Sequence, residues 1–369
     1  MAGTIGFLGG GQLARMMALE AHLLGYEPHV YSTLESDPAA QVTAHHHKGN
    51  LQDINSLQAF AEKVDHLTFE SEFVPSEILS ELEKKFSDKI FPKPSIMRKL
   101  QIRISQKQTL QKFKVPTAEF LEISKPEDLR AAWHQLKGAF VLKTNFGGYD
   151  GYGTFFAKKE SDLKALEEKL KVSSQGFLAE KWIPFRREVA AILVRNSKGQ
   201  TLALPLVQTQ QTQGRCDWVQ GPITHRRWPV LQKRLFQMMK SLDYVGALGV
   251  EMFDTGPELL VNELAPRVHN SGHYSQDALA ESQFLLHLKA GLGLPLSKVQ
   301  SLSPQFVMTN LLGESSQPLM VPKNLSGHLH LYGKQENRPG RKMGHVNYLG
   351  PKGPALLKKA LKERKGFRL

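Results

Sequence analysis

Cysteine is nearly missing: Cys216 is the only one in 369 residues. No intrachain disulfide can form, which fits a reducing, cytoplasmic setting. No thiol motif surrounds Cys216, so an inert thiol is expected there. No apolar run approaches the ~20 residues that a membrane helix needs, so no membrane partner is expected. The opening Met1-Ala2-Gly3-Thr4-Ile5-Gly6-Phe7-Leu8-Gly9 lacks a basic lead and a long apolar signal core, and reads as a first strand. Zinc-finger spacing and an aromatic–basic RNA signature are also absent. No nucleic-acid partner is therefore expected, despite 48 Lys and Arg against 35 Asp and Glu. Part of the basic excess (Lys352, Lys358, Lys359, Lys362, Arg364, Lys365 and Arg368) crowds the C-terminus, as on a solvated amphipathic helix.

The length predicts two or three domains around a sizeable core. Residues 4–9 are β-prone, a glycine turn follows, Gln12 to Leu24 has helical periodicity, and Pro28 to Ser32 reads as the next strand. Strand, glycine turn, helix and strand in that order predict a parallel sheet. A further strand is expected at His66–Phe69, running into Glu70-Ser71-Glu72. Phe91-Pro92-Lys93-Pro94 marks the end of a first domain, and residues 95–113 look like one helix. Strands are expected at Phe140–Thr144, Phe177–Lys181, Glu188–Arg195 and Thr201–Gln208, and a helix at Leu231–Leu242. A hairpin is expected from Ala247–Phe253 and Glu258–Leu264, and a small C-terminal unit from Pro304.

Three places carry candidate chemistry. Gly9-Gly10-Gly11-Gln12-Leu13-Ala14 matches G-x-G-x-x-A between a strand and a helix, where free backbone N–H groups can receive an anion. A dinucleotide, the phosphate of a smaller substrate and a purely structural turn all stay open, although the second strand lacks the acidic end a dinucleotide site wants. Next, Lys143 ends a β-prone run and precedes a glycine-dense loop containing Gly147, Gly148, Gly151 and Gly153. That order suits a loop closing over a polyphosphate, or else a bulged hairpin with a surface lysine. Finally, Glu251 and Glu263 lie on the two arms of the hairpin. With the turn centred on Gly256, Glu251 faces Val261, and Glu263 shares its side. Asn262 would join them only through a bulge. Oxygen ligands beside a phosphate loop predict magnesium rather than zinc. Arg267, His269, Asn270 and His273 follow directly and can hold an anion.

On these residues the chain resembles the 5-(carboxyamino)imidazole ribonucleotide synthases, ATP-grasp enzymes of bacterial purine biosynthesis also known as ATPase subunits of phosphoribosylaminoimidazole carboxylase. The matching segments are Gly9 to Met16, Arg103-Ile104-Ser105-Gln106-Lys107, Gly147-Gly148-Tyr149-Asp150-Gly151, Asn262 to His273, Ser282-Gln283-Phe284 and Arg338 to His345. The likeness covers nearly the whole chain. It implies a mixed α/β ATP-grasp fold: a Rossmann-like parallel-sheet domain at 1–98, an ATP-grasp domain at 99–300 with a lid at about 115–180, and a small β-rich domain at 301–369. It also implies ATP and Mg2+ as cofactors, 5-aminoimidazole ribonucleotide and bicarbonate as partners, carboxyphosphate as the intermediate, and a homodimer.

The resemblance further implies residue roles. Arg103, Lys143, Gly148, Tyr149, Asp150, Gly151, Tyr152, Gly153, Glu180, Lys181, Trp182, Ile183, Glu188, Gln211, Asn262 and Glu263 would bind ATP, with Glu251 and Glu263 on magnesium. Arg267, His269, Asn270 and Lys342 would hold the carboxyl intermediate. Asp150 and Tyr149 would close over the nucleotide amine, Asp150 accepting its proton. Gln12, Leu13, Glu70, Glu72, Lys334 and Arg341 would position the ribonucleotide.

The sequence departs from the family pattern at Ile102, Tyr152, Thr154, Thr209 and Gln211, all on the ATP side. Two other readings therefore stay open: a different ATP-grasp carboxylate–amine ligase, and a nucleotide-binding homologue with weakened catalysis. In His45-His46-His47, neighbouring side chains on a strand alternate faces, so all three cannot share one ion. Surface or strand-end histidines are expected there.

Overall fold

The computed structural model describes residues 3–148, 152–170 and 176–368. Three sheets organise them. The first is all-parallel, in the order His45–Lys48, Glu27–Ser32, Thr4–Leu8, His66–Phe69, Ile90–Phe91. The expected strand–turn–helix unit is present, with Gln12–Leu23 as its helix. Gly25, at φ +77°, ends that helix in the left-handed conformation that glycine tolerates best. The helix buries Leu13, Ala14, Met16, Met17, Ala18 and Ala21, the face its periodicity predicts.

Residues 95–113 form two helices, Pro94–Gln101 and Arg103–Lys112, not the one expected. Ile102 between them is extended, at ψ 116°. The break frees the first N–H groups of the second helix, and Asn145 takes them. Its carbonyl accepts from Arg103 N at 2.9 Å, and its Oδ1 accepts from Ile104 N at 2.9 Å. The start of that helix is thereby tied to the glycine-rich loop.

The second sheet is antiparallel and nine-stranded among the described residues. It runs Leu259–Ala265, Gly246–Asp254, Arg187–Arg195, Val207–Thr212, Arg215–Gly221, Gln305–Leu312, Lys342–Gly350, His328–Leu331, with Thr201–Ala203 beside Arg187–Arg195. The strand expected at Thr201–Gln208 is split in two, with Pro205 in the gap, where its missing N–H cannot serve a ladder. The strands after Pro304 form no separate sheet. Gln305–Leu312 pairs with Arg215–Gly221 and continues the central one.

The third sheet is antiparallel, in the order Phe120–Ile123, Phe177–Lys181, Phe140–Thr144, Thr154–Ala157. Ile123, Leu129, Phe140, Leu142, Leu163 and Phe177 belong to a core of its own. By contrast, Ile5, Phe7 and Met17 of the first sheet and its helix share one core with Ile192, Phe284 and Met308. Among the described residues, no helix is long and apolar enough to cross a membrane.

Candidate active site

A cavity of about 560 Å³ opens where the three sheets meet. That volume suits a small-molecule site. Lys143, at the end of Phe140–Thr144, donates to Asn262 Oδ1 at 2.9 Å and pairs with Glu180. Lys107 pairs with the other oxygen of Glu180. Burial by itself would raise the Glu180 carboxyl, but the two ammonium groups outweigh it and hold it at about 2. The Glu180 side chain is thus a fixed anion between two lysines. Lys107 was not singled out from sequence. The available signal was its position one helical turn after Arg103, on the same side of Arg103–Lys112.

The hairpin differs from the expected register. Glu251 lies opposite Glu263 itself, Met252 lies opposite Val261, and Asn262 is the extra residue of a β-bulge between them. Such a bulge re-aims side chains, and it brings Asn262 to the cavity beside both acids. The two carboxylates are therefore direct cross-strand neighbours. Burial, then the charges of Glu263 and Glu188, push Glu251 up to about 7. Burial also raises Glu188 to about 7. Glu263 stays below its ordinary value: burial opposes this, but Arg103, donating at 2.8 Å, prevails. Arg103 also donates to the Gly148 carbonyl at 3.0 Å.

On the opposite side, Arg267 grips Glu72 through two guanidinium nitrogens, one of them at 2.8 Å. This bidentate ion pair crosses from the central sheet to the loop after His66–Phe69. His269 is pushed down to about 3 by burial, then by Arg267 and Lys342, so it is neutral at pH 7. Its Nδ1 accepts from Ser271 N, leaving Nε2–H directed at Glu251 Oε1, 3.5 Å away. The side-chain amide of Asn270 is paired reciprocally with Asn310, at 3.0 and 2.8 Å. Lys342 lines the same end of the cavity, and its charge acts on Glu251 and His269. His273 lines it as well, buried and held well below its ordinary value by desolvation. Cys216, whose thiol burial pushes up to about 12, stays protonated.

The glycine turn is already engaged from within the protein. Its N–H groups already serve a protein carboxylate: Glu70 accepts from Gly11 N at 2.6 Å and from Leu13 N at 3.3 Å. A Cβ on Gly11 would lie 2.1 Å from Glu70 Oε1. Close approach of Glu70, not of a ligand, is what demands glycine there. Burial pushes the Glu70 carboxyl up while these N–H groups pull it down, and a substrate phosphate would compete with it for the same donors. Gln12, Leu13 and Glu72 line the cavity, whereas Glu70 does not. Lys334 and Arg341 do not line it. The Lys334 ammonium lies 5.7 Å over the Tyr332 ring, and Arg341 donates to the Glu336 carbonyl at 2.9 Å.

At the other end, Trp182, Ile183, Glu188 and Gln211 line an aromatic recess that Phe156, Phe185 and Phe253 complete. Phe185 stacks on Phe253 at 4.7 Å, and Phe156 meets Trp182 edge-on at 5.7 Å. These three phenylalanines were missed, because strand-end aromatics give no signal apart from core. Lys181 lines the recess while pairing with Glu119 at 3.1 Å. Gly148, Tyr152 and Thr154 border it, while Thr209 is buried in its strand. Gly153 has φ +73° and packs on Thr144. Tyr149, Asp150 and Gly151 lie outside the described residues.

Family models match in three consecutive blocks. A ribonucleotide synthetase preATP-grasp domain matches residues 1–101, an ATP-grasp domain 108–284, and a phosphoribosylaminoimidazole carboxylase C-terminal domain 307–359. The N5-carboxyaminoimidazole ribonucleotide synthase of Mycobacterium tuberculosis is 36% identical over 365 residues, covering 95% of this chain and 84% of its own. The chain belongs to the N5-carboxyaminoimidazole ribonucleotide synthase family. It is an ATP-grasp ligase with the expected mixed α/β fold. Among solved members, the Staphylococcus aureus synthetase complexed with ADP is 30% identical with a TM-score of 0.90, covering 98% of this chain and 97% of that one. The Aspergillus clavatus synthase, complexed with ADP and 5-aminoimidazole ribonucleotide, is 29% identical with a TM-score of 0.87, covering 99% and 100%.

Proposed function

We infer that this protein carboxylates 5-aminoimidazole ribonucleotide in an ATP-dependent reaction of purine biosynthesis, giving N5-carboxyaminoimidazole ribonucleotide. The observation that carries the reading is the single cavity joining a polyphosphate-type end, with Lys143, Asn262 and Glu263, to an anion-holding end, with Arg267, His269 and Lys342. Bicarbonate is the carboxyl donor. Its oxygen takes the γ-phosphoryl group of ATP and ADP leaves. The amine of the ribonucleotide then attacks the carbonyl carbon of carboxyphosphate, phosphate leaves, and Asp150 is the candidate acceptor of the amine proton.

The donor set suits Mg2+. Two adjacent half-buried carboxylates, one pushed up to about 7 by desolvation and then by the other's charge, form an oxygen-only pair in want of a cation. Glu251 and Glu263 would hold it, and it would neutralise phosphate charge. Lys143 and Arg103 would bind phosphate oxygens, and the recess around Trp182 would take the adenine. Glu188 would take the ribose hydroxyls. Lys342 would supply the positive charge for carboxyphosphate, with neutral His269 a hydrogen-bond donor beside it. Gln12 and Glu72 would contact the ribonucleotide. Family resemblance also supports a homodimer and a cytoplasmic setting.

The test is ADP release with ATP, Mg2+, bicarbonate and 5-aminoimidazole ribonucleotide. Release that depends on the ribonucleotide is expected, and Lys342→Ala should abolish product while leaving ATP binding nearly intact. Release no faster with the ribonucleotide than without it would reject this substrate. ATP binding without any turnover would favour a homologue that has lost catalysis.

A further inference from the structure

The histidines at 45–47 take no part in the cavity. They form the edge strand of the parallel sheet, in a register that sets His45 opposite His29. Side chains two apart on a strand share a face. Glu27 and His29 therefore face the same way as His45 and His47, while His46 turns to the other side and meets Ser32 Oγ at 3.1 Å. On the shared face, ligand atoms of Glu27, His29 and His45 all lie within 4.8 Å of one another. One oxygen of Glu27 is 2.5 Å from His45 Nε2, and the other is 3.8 Å from His29 Nε2.

His29 supplies the deciding detail. Its Nε2 is buried and has no hydrogen-bond partner among the described residues. Its Nδ1 lies 3.1 Å from His47 Nε2. In the tautomer that donates Nδ1–H to His47, His29 Nε2 carries the lone pair, 3.8 Å from a Glu27 oxygen. A buried acceptor facing a carboxylate is unfavourable unless a cation lies between them.

We propose that Glu27, His29 and His45 form a binding site for a divalent transition metal of the zinc type, with His47 orienting His29 from behind. Two imidazole nitrogens and one carboxylate oxygen, with water in the fourth position, are a donor set that tetrahedral zinc accepts. A ligating histidine whose second nitrogen is hydrogen-bonded is the usual companion feature. Bonds of about 2.0–2.1 Å put tetrahedral ligand atoms roughly 3.4 Å apart. The His29 and His45 rings are stacked, with centroids 4.5 Å apart and planes 10° from parallel, so their in-plane lone pairs converge on one ion only if a ring turns, which the half-exposed His45 side chain allows. None of these four residues lines the cavity. The metal would clamp the edge strand to its neighbour rather than serve the chemistry.

The test is Zn2+ titration calorimetry on the full chain without an affinity tag, with excess Mg2+ present to occupy oxygen-only sites. One equivalent of Zn2+ is expected to bind. His45→Gln should weaken it at least tenfold, His47→Gln by roughly 10–100-fold as for other outer-shell partners, and Glu251→Gln not at all. Circular dichroism checks that each variant is folded, and His45, being the most exposed ligand, is the least able to disturb the core. A tetrahedral Co2+ absorption band, present in the unmodified chain and lost in His45→Gln, is the second readout. No Zn2+ uptake, or equal affinity in the unmodified chain and His45→Gln, overturns the assignment.

Discussion

Glu251 shows how one side chain links stability to ligand binding. Half-buried beside Glu263 and Glu188, it is pushed up to about 7 from an ordinary 4.5, by desolvation first and then by those charges. The folded chain therefore holds a proton between pH 4.5 and about 7 that the unfolded chain has released. This group's contribution to stability is fully present below 4.5 and lost as pH rises through 7. The buried neutral histidines act in the opposite sense, so the effect must be isolated by difference. Without divalent cations, Glu251→Gln should gain thermal stability relative to the unmodified chain as pH rises from 5 to 8. Parallel melting curves across that range would refute this. Because a metal ligand must be deprotonated, apparent Mg2+ affinity should rise over the same window in the unmodified chain alone. Lys107 makes a related point at this scale: only the fold brings it to Glu180, and it leaves that carboxylate permanently charged.

At the scale of the element, a single bulge organises the hairpin. Glycine at position 256, at φ +94°, was readable as a turn, and the two acids were readable as a pair. The bulge was not, because alternation of side chains says nothing about an extra residue in one strand. It directs Asn262 to Lys143, a hydrogen bond to a charged group worth roughly 1.5–3 kcal/mol. Asn262→Ala should accordingly raise the KM for ATP about tenfold or more, measured by steady-state ADP release. An unchanged KM would remove Asn262 from nucleotide binding. The break at Ile102 is a second element-scale feature. A helical period continued across it, but tertiary capping by Asn145 outweighs the extra turn.

Across the whole molecule, two kinds of join are evident. The parallel sheet and the central sheet share one core, and buried His287 stitches them. Its Nε2 is 2.7 Å from Thr68 Oγ1, and its Nδ1 accepts from Ala247 N at 3.0 Å. The sheet carrying Lys143 and Trp182 packs around a separate core. Units with their own small core open at lower free energy than the global transition. Amides in Phe120–Ile123 and Phe140–Thr144 should therefore exchange faster than those in Arg187–Arg195 in the free chain, and slow markedly when ATP and Mg2+ are added. Exchange rates unaffected by nucleotide would argue against this sheet closing over ATP.

Local chemistry was enough to determine a good part of this protein: the first parallel unit, Lys143 before a glycine loop, the pair Glu251 and Glu263, and the segment Asn262 to His273, whose family likeness extends along the chain. These depend on residue types at short spacing, which the sequence carries directly. Tertiary structure alone decided the rest. It set Glu70 on the glycine turn, Glu72 in the grip of Arg267, Lys107 on Glu180, and the strands after Pro304 in the central sheet. It also brought His45 to Glu27 and His29. Each of these joins residues from different elements, and long-range pairing leaves no periodicity in the chain that makes it.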